Sequence, residues 1–185
     1  EISSTLYPMA DVRGFENVLG LDPAYGKVRT KTSSKFGGFG MWKQNGEYYE
    51  RSSFELEECP IDEALERIKQ EISTFGYRNV IVDGHHTGVI NAIRKIPGIH
   101  CYGVNYNEYG LTMTDESADA VHQKKVHLYP NNQEIKNQLK SVRRNDKGMP
   151  NKDLSRFDMG DCFQQCIHHF VKGGNFASGK IVAKR

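Results

Sequence analysis

The chain lacks any apolar run near the ~20 residues that a membrane-spanning helix needs, and it shows no signal-peptide pattern, so no membrane partner is expected for these residues. Cysteine is scarce: Cys59, Cys101, Cys162 and Cys166 fit neither a disulfide framework nor zinc-ribbon spacing. Cys162 and Cys166 with His168 and His169 are conceivable as a metal cluster, yet both thiols fall on the apolar stripe of a predicted helix, where they pack as small hydrophobes. Core packing is the expected role, and free thiols suit a reducing, intracellular compartment. An excess of charge of one sign is also missing; the formal +2 at pH 7 says little about partners. Internal repeats and low-complexity tracts are absent.

What is present is an ordinary globular composition, moderately apolar with high but balanced charge. At 185 residues the chain can build one sizeable core and not two comfortable ones. Residues 1–16 read as a lead-in, 17–172 as the domain and 173–185 as a flexible tail. The first residue is Glu and not Met, which fits a piece of a longer polypeptide.

Three acids stand where the elements end. Asn17-Val18-Leu19-Gly20-Leu21-Asp22-Pro23 is an apolar run closed by an acid and a breaker, and Asn79-Val80-Ile81-Val82-Asp83-Gly84 repeats the design about sixty residues on. Between them, Phe36 to Trp42 and Tyr48 to Phe54 read as a hairpin turned at Asn45-Gly46, with Gly37, Gly38 and Gly40 marking close backbone approach. A helix is predicted from about Ile61 to Thr74 behind Pro60, a short helix from Val89 to Ile96, and a strand from Ile99 to Val104. Residues 106–156 read as irregular apart from a helix near Asn132 to Val142 and a loop or hairpin tip at 145–151. The last helix, about Arg156 to Val171, carries Met159, Cys162, Phe163, Cys166, Ile167 and Phe170 on one face. Asp158, Asp161, Gln165 and His168 form a second stripe. The expected fold is α/β: a mixed five-stranded sheet, three antiparallel strands and then parallel ones, flanked by helices.

Carboxylates at the ends of two neighbouring strands, faced by acids on a helix, make a pocket for divalent cations. Two-metal phosphodiester hydrolysis needs several carboxylates converging on ions ~3.5–4 Å apart, and oxygen ligands favour Mg²⁺ or Mn²⁺. Asp22, Asp83 and Asp161 are the candidate catalytic ligands and Asp158 a candidate fourth. Each also has a plainer reading: Asp22-Pro23 and Asp83-Gly84 are turn pairs, and Asp158 stands three residues after Ser155, as in a capping box. His85 and His86 could position water or phosphate, although surface loop histidines are commoner. Lys136, Lys140, Arg143, Arg144, Lys147, Lys152 and Arg156 make a basic band near the third acid, and Lys27, Arg29, Lys31 and Lys35 flank the first. Such bands can hold a polyanion, here double-stranded DNA, or form a solvated helix face. Gly174 to Lys180 imitates a P-loop, but Ile181 stands where Ser or Thr belongs and too little chain follows for the helix.

This order of motifs resembles the ribonuclease-H-like superfamily, and within it the nuclease domain of the viral large terminase subunit. Gly20-Leu21-Asp22-Pro23-Ala24, Val82-Asp83-Gly84-His85-His86-Thr87-Gly88 and the Asp158/Asp161 pair carry the likeness, over about residues 17–172. Cys162 departs from it, since Ala often follows the last Asp. The resemblance implies cleavage of concatemeric viral DNA during genome packaging. It also implies an ATPase domain in the same full-length polypeptide, with portal and small terminase subunit as partners. The location would be the host cytoplasm for a bacteriophage, or the host nucleus for a herpes-type virus. A bacterial-type Holliday-junction resolvase shares the opening Asp-Pro and the paired helix acids; the residues before Asn17 and the Asp at 83 favour the terminase. A non-catalytic nucleic-acid-binding module is the alternative from a different class.

Overall fold

Strand β1, Glu16–Asp22, is the middle of everything, because both of its faces are buried. In the computed structural model, which describes residues 15–23, 35–57, 59–151 and 156–173, it pairs on one side with β2 (Phe36–Gln44), antiparallel. On the other side it pairs in parallel with β4 (Asn79–Asp83). The hairpin after β2 closes at Asn45 and Gly46, with φ of 53° and 82°, the left-handed pair a tight primed turn requires. Strand β3 covers Glu47–Leu56, and β5 (His100–Val104) lies parallel to β4. Helix α1 (Ile61–Phe75) follows Pro60 and stops at Gly76, whose φ of 72° suits a residue without Cβ. Helix α2 is Thr87–Ile93, α3 is Tyr106–His122, α4 is Gln133–Ser141 and α5 is Asp158–Val171.

Alternation along the strands sorts the core into two layers. Leu19, Leu21, Val80 and Val82 face Ala64, Ile68 and Ile72 of α1 and Val89, Ile90 and Ile93 of α2. Val18, Phe39, Met41 and Ile81 face Cys162, Phe163, Cys166, Ile167 and Phe170 of α5, with Met113 of α3 and Ile135 of α4 behind. The two cysteines of α5 are core, as expected. Every residue of α5 from Asp158 to Phe170 is buried, since the helix lies between the sheet and the outer helices. The architecture is mixed α/β and ribonuclease-H-like.

Two expectations need correction. Among the described residues the sheet has six strands, in the order β5-β4-β1-β2-β3-β6, because Val126–His127 adds β6 in parallel to β3. A two-residue edge strand leaves no alternation to read in a sequence. The stretch after residue 106 is not irregular: it opens with α3, 17 residues long, capped by the Asn105 side chain, which accepts from the Asn107 N–H at 3.0 Å. Gly110, Thr114 and Ser117 share the buried face of α3 with Met113 and Ala120, so apolar periodicity is blunted there. The 145–151 segment is a hairpin tip bridged at Arg144 and Pro150.

Candidate functional site

The alternation that buries Val18 and Ile81 against α5 also decides where the strand-end acids point. Two and four residues on, Gly20 and Asp22 lie on the α5 face of β1; Asp83, two after Ile81, lies on the same face of β4. The parallel register pairs Leu21 with Val82, so Asp22 and Asp83 end adjacent strands side by side. Both stand at the carboxyl ends of their strands, the usual place for sites in open α/β sheets.

Glycines admit the helix that completes the group. A Cβ on Gly20 would lie 2.4 Å from the Cys162 carbonyl oxygen, and one on Gly37 would lie 3.1 Å from the Asp158 backbone. Gly37 is the register partner of Asp22. The first turn of α5 therefore rests directly on β1 and β2 and delivers Asp158 and Asp161, both buried, beside Asp22. Gly38 and Gly40, on the opposite face, leave room instead for the Phe54 ring and the Tyr77 phenol. Close approach at Gly37, Gly38 and Gly40 was legible in the sequence; the approach at Gly20, and what approaches each of them, was not.

The two α5 acids lie in a poorly solvated space, while Asp22 and Asp83 are half-buried. Burial raises the Asp158 carboxyl to about 6, with the charges of Asp22 and Glu55 adding to the rise. The Lys35 N–H, donating to Asp158 Oδ2 at 3.1 Å, and the Arg156 guanidinium, 3.4 Å from the same oxygen, act against it. Burial, followed by the charges of Asp161 and Asp22, pushes the Tyr106 phenol well above its ordinary value, so it remains a proton donor. The Cys162 thiol is raised by burial and then by Asp22 and Asp161.

Asp83 is engaged locally, its Oδ1 accepting from the His85 N–H at 3.1 Å. Among the described residues, no three His, Cys, Asp or Glu side chains are grouped closely enough to hold a metal ion. Four carboxylates thus gather at one end of one sheet face without closing into a cage. Their chemistry nonetheless fits a hard divalent cation: the donors are all oxygen, and the raised Asp158 carboxyl reports like charge and desolvation that a cation would offset. Phe157 is the N-cap of α5, Asp158 is its first residue, and no side chain among the described residues caps the helix; Ser155, on which the capping-box reading of Asp158 depends, lies outside them.

Sequence reasoning missed several residues that hold this end together. Gln165 Oε1 accepts from the Leu21 N–H at 2.9 Å, while its Nε2 donates to the Leu21 carbonyl at 3.2 Å and to the Tyr106 hydroxyl at 2.9 Å. Tyr106 donates to the Asp161 carbonyl at 3.3 Å. Gln138 of α4 accepts from the Gly160 N–H at 3.1 Å and donates to Glu55 and Glu134. Gln165 was visible one turn after Asp161 on the polar stripe, but Tyr106 fell in the stretch that read as irregular.

The basic band divides. Arg156 pairs with Glu55 at 2.9 Å and Glu134 at 2.8 Å, and so braces the fold. Arg144 pairs with Asp115 at 2.6 Å, and Lys136 donates to the Pro130 carbonyl. Lys140, Arg143 and Lys147 are exposed, as is Arg144 itself. Lys35 pairs with Glu55 and Glu57. Lys27, Arg29, Lys31 and Lys152 lie outside the described residues, as does the P-loop-like 174–181. His85 is exposed and His86 half-buried, its pKa lowered chiefly by burial. His168 sits deep in α5, 2.6 Å from Glu116, away from the acids.

The fold is of the ribonuclease-H-like class, and solved structures it is similar to include large terminases and their nuclease domains. The bacteriophage SPP1 large-terminase nuclease domain with bound Mn superposes with a TM-score of 0.62 at 13% identity, covering 92% of this chain and 96% of that one. The large-terminase nuclease of thermophilic phage G20c with bound magnesium gives a TM-score of 0.65 at 13% identity, covering 83% and 81%. A large terminase of a thermophilic bacteriophage in complex with ADP gives 0.68 at 15% identity, covering 84% of this chain but only 40% of that one. The chain thus spans about two fifths of that terminase and nearly all of the SPP1 domain. No protein-family model and no curated protein sequence matches it. No helix among the described residues is long and apolar enough to cross a membrane.

Proposed function

We propose that the chain is a divalent-metal-dependent endodeoxyribonuclease that cleaves double-stranded concatemeric viral DNA during genome packaging. The observation that carries this reading is the gathering of Asp22, Asp83, Asp158 and Asp161 at one end of one sheet face, on a fold shared with terminase nuclease domains. Asp22, Asp83 and Asp161 would hold Mg²⁺ or Mn²⁺, two ions in the full complement, with Asp158 as a further ligand. The bound metal would supply Lewis-acid polarisation of the phosphate and an activated water at neutral pH.

The remaining work falls to the chain itself. Asp22 comes from the strand between β4 and β2 and can therefore serve both sides of the site, with Asp83 on one flank and the α5 acids on the other. Rigid strands and a buried helix hold the carboxylates against their mutual repulsion, which is the preorganisation phosphoryl chemistry rewards. Lys140, Arg143, Arg144 and Lys147 would grip the phosphate backbone, joined by Lys27, Arg29 and Lys152, and supply affinity without reading sequence. The likeness to two fifths of the ADP-bound terminase supports an ATPase domain in the same full-length polypeptide. A portal and a small terminase subunit would be its further partners.

The test is nicking and linearisation of supercoiled plasmid with Mn²⁺, Mg²⁺ or EDTA, beside an Asp83→Asn variant of verified fold. Cutting with either metal, abolished by EDTA and by the substitution, is the expected result. No cutting with either metal would favour a non-catalytic nucleic-acid-binding module, and preference for four-way junctions over linear duplex would favour a resolvase.

A further inference from the structure

The acid cluster depends on a contact between two elements that covalent structure does not link closely. Asp22 ends β1 and Asp161 lies in the first turn of α5, 139 residues later in number, so something must set their separation. Apolar packing fixes the helix on the sheet only to within the tolerance of a greasy contact. Directional bonds are needed to fix it along the strand.

One buried side chain makes them. Gln165, 0% exposed, spends both ends of its amide on the peptide of Leu21: Oε1 takes the N–H at 2.9 Å and Nε2 gives to the carbonyl at 3.2 Å. Leu21 immediately precedes Asp22, and Gln165 stands one helical turn after Asp161. The second Nε2 hydrogen reaches the Tyr106 hydroxyl at 2.9 Å, and that hydroxyl in turn donates to the Asp161 carbonyl at 3.3 Å. The chain of bonds therefore begins beside one acid and ends on the peptide of the other, and draws in α3 through the first residue of that helix. Steric fit works to the same end, since the Cys162 carbonyl occupies the space a side chain at position 20 would need.

We propose that Gln165 and Tyr106 are positioning residues that set the distance between Asp22 and Asp161 and thereby the affinity of the acid cluster for divalent metal. The inference rests on the metal-dependent reading of the site. Both act through the backbone that carries the two carboxylates, Gln165 on the Leu21 peptide and Tyr106 on the Asp161 carbonyl. A purely structural role would lower the melting temperature and leave metal affinity alone.

The experiment is calorimetric titration of the 185-residue chain with MnCl₂, in wild type, Tyr106→Phe, Gln165→Met and the control Tyr109→Phe, with melting temperature and plasmid cleavage followed in parallel. Tyr106→Phe deletes one oxygen and keeps the ring, so the fold should survive it. It is expected to weaken Mn²⁺ binding about tenfold, the change that ~1.4 kcal/mol produces. Gln165→Met, which loses all three bonds, should weaken it further. Tyr109→Phe, one turn along α3, should bind Mn²⁺ like wild type. Unchanged affinity in both test variants, in a wild type that binds Mn²⁺ and cuts DNA, would overturn the positioning role and leave the nuclease standing. A wild type that neither binds Mn²⁺ nor cuts would overturn both. Equal weakening in the Tyr109→Phe control would reduce the effect to general loosening of α3 and overturn the specific role.

Discussion

Replacing Asp158 by Asn should make the protein more stable at neutral pH and less able to bind metal. The folded carboxyl titrates at about 6 against an ordinary 3.8, a rise of about 2 units, or about 3 kcal/mol at 1.36 kcal/mol per unit. With 4% side-chain exposure, little screening reduces that figure. The sign follows from linkage. Between about pH 4 and about pH 6 the folded state holds a proton that the unfolded chain has released, so the stability this group contributes at low pH is lost as pH rises through its folded value. Asn carries no charge to desolvate, and its Oδ1 can still accept from the Lys35 N–H. Urea unfolding with EDTA present should therefore show Asp158→Asn more stable by up to about 3 kcal/mol near pH 8, with the gain vanishing near pH 4. Added Mn²⁺ should stabilise wild type more than the variant. A variant less stable than wild type, by the same amount at both pH values, would refute the argument; Asp158 would then be held by bonds that outweigh its desolvation.

Other outcomes follow from the same geometry. Gly20→Ala should destabilise by about 1–3 kcal/mol in chemical denaturation and abolish cleavage, because its Cβ meets the Cys162 backbone, not a yielding side chain. Truncating Lys140, Arg143 and Lys147 together to Ala should leave the fold intact and weaken DNA binding. The slope of log affinity against log salt should fall by roughly 2–3, read by anisotropy titration at several salt concentrations. Arg156→Ala should instead act on stability, by about 1–3 kcal/mol in thermal or urea unfolding, since it removes the closest cation from Glu55 and Asp158 and leaves Glu55 to Lys35 and Gln138.

The strands that end in Asp22 and Asp83 were legible because a fully buried strand leaves a short apolar run and a turn residue leaves a stop. The last helix was legible through its apolar stripe, and its polar stripe showed where the acids sit. Burial of that second stripe was not legible: α3 covers it, and α3 hides its own period behind Gly110, Thr114 and Ser117. The same gap concealed Tyr106, whose role depends on a helix that composition did not announce. Arg156 looked like part of a nucleic-acid surface, but proximity in sequence to Lys152 says nothing of Glu55 and Glu134, which come from β3 and α4. A basic run gives the charge of a region; which charges remain for a partner depends on long-range pairing.

The central claim is that the four acids are one divalent-metal site, although Asp83 and Asp158 accept from protein donors here. Anomalous diffraction from a crystal of the chain soaked in MnCl₂ tests it most directly. The account predicts manganese peaks contacting the carboxylates of Asp22, Asp83 and Asp161, with Asp83 released from the His85 N–H and Asp158 drawn towards the ions. Strong manganese density elsewhere on the protein, with none at these acids, would contradict it.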